Sequence, residues 1–239
     1  MDLPSGIQLL IPTTLSVAVI HTLSGPDHYI PFIVLSNERK WSIKKTISIV
    51  LLCGFGHVMS SVLLAIAGIW LQTSVLSVSN LEEYRGSIAS WMLFLFGFTY
   101  LIWGIWKLIR QNYKHNHLHF HQNGIMHSHL HNHESAHAHF HSSSEKSMMP
   151  WVLFIIFIFG PCEPMIPIVM GSQLQYGWNM TILIIILFSV STLFSMLIMV
   201  FSGLYGLSKM KTIWIEKYTT VITGGALTLC GSGMIWLDL

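Results

Sequence analysis

Apolar positions in this chain run in long windows instead of alternating with polar ones. Six such windows cover approximately residues 7–36, 45–71, 87–110, 150–172, 180–204 and 216–237. An α-helix rises 1.5 Å per residue, so about 20 apolar residues cross a hydrocarbon layer of roughly 30 Å. The pattern predicts an all-α membrane protein with six transmembrane helices. The Met-Asp-Leu-Pro start carries no basic stretch, so the first window is read as a retained helix and not a cleaved signal.

Two windows are interrupted, and at matching places. "GPDHYIP" occupies 25–31 in the first and "GPCEPMIP" occupies 160–167 in the fourth. Windows 2 and 5 each hold a small polar cluster, "GHVMSS" at 56–61 and "FSVSTLFS" at 188–195, and windows 3 and 6 both end in a glycine closely followed by Ile-Trp. Three helices per half is an odd number, so the second copy enters the membrane from the opposite side. The expectation is two inverted three-helix repeats, 1–110 and 150–239, with broken first helices and a linker at 111–149.

The linker breaks the apolar pattern. It holds eleven of the fourteen histidines: His115, His117, His119, His121, His127, His129, His131, His133, His137, His139 and His141. Its poverty in aliphatic residues predicts a disordered loop. Neutral imidazole is a common ligand of late transition metals, so the loop is a candidate metal buffer or the docking point of a metallochaperone. A solvated linker without a binding role is the structural alternative.

Composition agrees with the pattern. Hydrophobic residues make up 52% and charged residues 9%, against about 25% charged in soluble chains. Arg39, Lys40, Lys44 and Lys45 follow window 1; Lys107, Arg110, Lys114 and Lys146 follow window 3; Lys209, Lys211 and Lys217 lie between windows 5 and 6. Only Arg85, beside Glu82 and Glu83, falls in a loop on the other side. The asymmetry predicts a multi-pass protein of the cell (inner) membrane with the His-rich loop cytoplasmic and both termini outside. The net charge of +2 then reflects topology and calls for no nucleic-acid partner. Cys53, Cys162 and Cys230 all lie in spans, an odd count without framework spacing.

The chemistry gathers at the first break. His21 and His28 lie seven residues apart, about 10.5 Å on an unbroken helix, too far to share an ion. Pro26 removes a helical hydrogen bond and Gly25 permits unusual dihedrals, so the chain can fold back and gather His21, Asp27 and His28. His57, the remaining intramembrane histidine, sits in "GFGHVMSS" on the next helix. Three imidazoles and a carboxylate suit a divalent late transition metal. Ionisable groups at this depth cost about 2.5–3.5 kcal/mol or more, so they are functional candidates by default. A buried Asp27–His28 ion pair with His21 as a core residue is the bland alternative. In the second half Cys162 and Glu163 are candidates for the transport path, with Ser60, Ser191 and Thr192. Glu163 as a helix cap, Cys162 as a small apolar residue, and the hydroxyls of Ser60, Ser61, Ser191 and Thr192 as interhelical hydrogen-bonding groups are the structural readings of the same residues.

"HTLSGPDH" followed by "GFGHVMSS" resembles the paired histidine signatures of the nickel and cobalt permeases. The likeness is to the branch of urease-accessory membrane proteins, where a His-Ala-Leu-Thr-Gly-Pro-Asp-His type motif precedes Gly-His-Ser in helix 2; the His-rich middle loop resembles the nickel/cobalt efflux branch. The resemblance implies that His21, Asp27, His28 and His57 bind the transported ion. "YIP" after His28 departs from the small apolar residues expected there. "GPCEPMIP" resembles instead the thiol-electron carriers of cytochrome c biogenesis.

The expected function is therefore a non-enzymatic permease for a divalent metal, nickel or cobalt foremost and zinc as a third candidate, with no cofactor beyond the cargo. No phosphate-binding loop of the G-x-x-x-x-G-K type appears, so the chain itself is not expected to use ATP. Uptake is slightly favoured over export. The rivals are a transmembrane thiol-disulfide carrier, which needs two thiols able to meet, and a membrane metal sensor or accessory protein that does not transport.

Overall fold

A computed structural model describes residues 5–111, 117–120, 126–129, 148–209 and 213–237. Its membrane body is all helical. In hydrocarbon every backbone N–H and C=O must find a partner within the protein, and a helix satisfies its own. Helix α1 spans Ser5–Ser24, α2 Ile30–Glu38, α3 Ile43–Trp70 and α4 Val75–Gln111. Helix α5 spans Met149–Phe159, α6 Met165–Lys209 and α7 Ile213–Trp236.

Among the described residues, four helical stretches are long and apolar enough to cross a membrane: Gly6–Ser24, Ile43–Trp70, Val75–Arg110 and Met165–Lys209. Met149–Phe159 is a shorter apolar helix. Leu63, Val190 and Phe194 are more than half exposed on these helices. Such surface is a liability in water and a match for acyl chains. Helix α6 is interrupted at Gly177, whose φ of 75° is open to glycine and costly for other residues.

The body is assembled from close helix pairs. Where α4 meets α7 the backbones themselves touch: a Cβ on Gly97 would stand 2.4 Å from the Thr228 nitrogen, and one on Gly224 would stand 2.4 Å from the Leu101 nitrogen. Without a hydrophobic drive between helices in lipid, such small-residue seams supply the contact. The buried apolar side chains form two clusters. One gathers Phe32, Val50, Leu153, Phe157, Met196 and Leu227. The other gathers Ala18, Val58, Val62, Ile166, Val169 and Phe188. Helix α3 contributes to both, and His57 stands between them, its ring 6.2 Å from that of Phe157 while Val58 packs in the second cluster.

One expectation of the fold is corrected. The third apolar window, expected from about residue 87, is part of a helix that begins at Val75. Glu82 and Arg85 therefore lie inside α4 and not in a loop, because each satisfies the other and their charge is tolerated in the helix. Within the His-rich linker the described residues form a short antiparallel hairpin, β1 (His117–Phe120) with β2 (Met126–His129), in which His117 pairs with His129 and His119 with His127. "HLHF" alternates polar with apolar positions at a period of two, the period of a strand. His115, His121, His131, His133, His137, His139 and His141 lie outside the described residues.

Candidate metal centre

Helix α1 ends where Gly25 N–H donates to the His21 carbonyl at 3.1 Å. Pro26 cannot donate, and the chain turns through a single 3-10 turn, Pro26–His28, before α2 starts. This turn shortens the path between His21 and His28. Their ring centroids stand 4.8 Å apart, edge to face. Gly25 does not use a conformation special to glycine: its φ of −86° and ψ of 100° are ordinary extended backbone. Its role is steric. A Cβ there would meet His28 Nδ1 at 2.5 Å and Asp27 Oδ1 at 2.7 Å.

His28 is oriented by two acceptors. Its Nδ1–H donates to the Gly25 carbonyl at 3.1 Å and to Asp27 Oδ1 at 3.0 Å. With the proton held at Nδ1, the lone pair sits on Nε2, and that atom is buried without a hydrogen-bond partner. A carboxylate or carbonyl behind an imidazole is the arrangement that fixes metal-ligating histidines.

His57 comes from the middle of α3. Its ring centroid lies 5.0 Å from that of His28, edge to face, and 6.3 Å from that of His21, nearly parallel. Both His57 nitrogens and His21 Nε2 are buried without hydrogen-bond partners among the described residues. Three imidazole rings converge, and four of their six ring nitrogens have no hydrogen-bond partner there. An unpaired buried polar atom ordinarily costs about 1–3 kcal/mol, so a cluster of four asks for a ligand.

The second break brings Cys162 to the same place. Its thiol, one nitrogen of His21 and one of His57 lie within 4.8 Å of one another. Glu163 does not join them; it is exposed and lines an open cavity of about 750 Å³ with His21, Asp27, His28 and Glu83. Ser60 sits below the cluster, its hydroxyl donating to the His57 carbonyl at 2.8 Å. Ser191 is half-buried, and Thr192 is buried with its Oγ1 unpartnered among the described residues.

Sequence reasoning missed Glu82 and Arg85. Glu82 is fully buried and accepts from Arg85, from the Ser61 hydroxyl, and from the Cys162 N–H at 2.9 Å. Arg85 also donates to Ser60 Oγ at 2.7 Å and to the Ile158 carbonyl at 2.6 Å. The missed signal was periodicity: Glu82 and Arg85 are three apart, one helical turn, directly before an apolar window.

No protein-family model, curated protein or solved structure matches this chain. What the fold and the site together define is a helical membrane protein with a buried cluster of histidines and a cysteine suited to a metal ion.

Proposed function

We propose that the chain is a membrane permease for divalent transition-metal ions, nickel or cobalt foremost with zinc as a third candidate, bound by His21, Asp27, His28 and His57. The observation that carries this reading is the convergence of three imidazole rings, from both sides of a helix break and from the next helix, with one nitrogen of His21 and one of His57 within 4.8 Å of each other; His28 and Asp27 stand beside that pair and are not part of the same close donor group. A structural ion pair would need Asp27 and His28 alone. It leaves His21 and His57 without a reason to be buried unpaired.

The reading includes six spans in two inverted halves. Helices α1 and α2 make the first broken span, α3 and α4 the next two; α5 with the part of α6 before Gly177 makes the second broken span, and the rest of α6 with α7 completes the set. Supporting this are the two Gly-Pro interruptions and the backbone turn at Gly177, which divides a 45-residue helix far longer than one crossing needs.

Two further features fit a carrier. The open cavity runs beside Glu83 and Ser90 of early α4 and Met234 of late α7, the ends that the basic residues assign to the outer side. On the opposite side of both breaks Phe32 and Phe157 close over each other, ring centroids 4.7 Å apart. An ion entering the cavity meets Asp27 and the imidazoles, then an aromatic plug. Movement of α2 against α5 separates Phe32 from Phe157 and opens the other side. Cytoplasmic histidines of the 111–149 loop receive or supply the ion. A thiol carrier is less well supported: Cys53 and Cys230 belong to one apolar cluster and Cys162 to the other.

The test is radioactive nickel accumulation, with cobalt and zinc as competitors, in cells expressing the intact chain or His28→Ala. Accumulation lost in the variant is expected for an importer, and accumulation lowered by the intact chain alone identifies an exporter. Equal accumulation with intact chain, variant and empty vector sinks the permease reading.

A further inference from the structure

We propose that Cys162 is a ligand of the transported ion, contributed by the second half of the chain, and that Glu82 and Arg85 are positioning residues that hold it against His57. The proposal rests on the transition-metal reading above and deepens it, because a thiolate narrows the class of ion.

The geometry is local. Cys162 Sγ and one nitrogen each of His21 and His57 lie within 4.8 Å of one another. Metal–nitrogen bonds of about 2.0–2.1 Å and metal–sulfur bonds of about 2.3 Å put tetrahedral donors roughly 3.3–3.6 Å apart. Side-chain rotations that bring the donors about 1 Å closer make the site. His57 is 2% exposed and both its nitrogens lack partners, so it points to a ligand independently of the cysteine.

Cys162 is also held too deliberately for a packing residue. Its N–H is fixed by Glu82, and the carbonyl of Ile158, four residues before it, is fixed by Arg85. The same two charged residues take Ser61 and Ser60, on the turn of α3 directly after His57. One ion pair, its Glu82 fully buried and its Arg85 half-buried, therefore ties the second break to the helix turn that carries the imidazole. Taking two charges out of water is costly, and well-packed apolar residues would hold helices together at least as well. What the pair adds is a fixed distance between Cys162 and His57.

On binding, the S–H bond breaks, its electron pair forms the sulfur–metal bond, and the proton leaves to solvent. Two neutral imidazoles and a thiolate favour borderline and soft ions such as zinc, cobalt and nickel, and disfavour magnesium, calcium and manganese. The site then spans both halves, so a shift of the second break relative to α3 withdraws one ligand and loosens the ion.

The experiment titrates cobalt(II) into the purified full-length protein in detergent and reads bound ions and absorption. The intact chain is expected to show a thiolate-to-cobalt charge-transfer band in the near ultraviolet. Cys162→Ser loses the band while Cys53→Ser and Cys230→Ser keep it. Glu82→Gln weakens cobalt binding about 10-fold or more, the scale of losing a ligand's support, with the band retained once the site is filled. His21→Ala with His57→Ala serves as the control for the loop histidines and binds one ion fewer. One ion fewer in that control but no charge-transfer band in the intact chain, or a band that survives Cys162→Ser, overturns the cysteine ligand and leaves the histidine site standing. An unchanged number of bound ions in the control overturns the histidine site and the cysteine ligand with it.

Discussion

The two helix breaks use the same Gly-Pro opening and treat their polar groups in opposite ways. Around 25–29 ring nitrogens are left unpaired: among the described residues His21 Nε2, His28 Nε2 and both nitrogens of His57 beside them have no hydrogen-bond partner. At 160–164 the freed backbone is tied down, with Cys162 N–H on Glu82 and the Ile158 carbonyl on Arg85. A protein tolerates irregular backbone at membrane depth where the chain itself covers it or where it lines a cavity. Both breaks line the open cavity, through Gly25 and Asp27 at the first and Pro161, Glu163 and Pro164 at the second, and the second is in addition held by charged side chains. In the proposed reading the first break receives the ion and the second supports it.

The largest expected effect breaks the first site outright. His21→Ala combined with His57→Ala abolishes metal transport in cells, with affinity of the purified protein down by more than the ~10–100-fold typical of losing a supporting group. Transport at the intact rate would show that the unpaired imidazoles are bystanders. Next, Glu82→Leu strands Arg85 in the body, and thermal unfolding in detergent should show a loss of about 3–5 kcal/mol. Glu82→Leu with Arg85→Met recovers part of that stability, since it removes the stranded charge but leaves the Cys162 N–H and the Ile158 carbonyl without these partners. A double variant no more stable than the single one argues against this account.

Asp27→Asn sharpens the comparison at smaller scale. It keeps the side-chain size but removes the carboxylate charge behind His28 Nδ1, leaving the Gly25 carbonyl alone to hold the tautomer, and cobalt affinity should fall about 10-fold with the unfolding temperature nearly unchanged. An equal loss of stability would mean that Asp27 holds the turn and not the ligand. The smallest effect belongs to Thr192→Val. Its hydroxyl is buried without a partner among the described residues, so removing it should change stability by no more than about 1 kcal/mol and leave transport intact. A clear transport defect would place Thr192 on the ion's path.

Much of the site was legible because its signals are local in sequence. Pro26 and Gly25 mark a break, and histidines on either side of a break in an apolar window mark a cavity. The physical basis assigned to Gly25 was wrong in kind: its backbone is ordinary and its missing Cβ makes room for the His28 ring. Spacing along the chain does not reveal which side chain will lie over which glycine. The Glu82–Arg85 pair was illegible for a related reason. An acidic and a basic residue just ahead of an apolar window look like a solvated loop, and only the approach of Ser60, Ser61, Ile158 and Cys162 makes them a buried junction.

The sequence by itself determined that this is a helical membrane protein and where its first helix breaks. Those properties follow from the length of apolar runs and from the missing N–H of proline, both set residue by residue. Only the tertiary structure decided that Cys162 joins His21 and His57, that Glu82 and Arg85 fasten it, and that Phe32 closes on Phe157. These contacts join residues from about 80 to more than 120 positions apart, and the close packing of helices, not any local preference, brings them within reach.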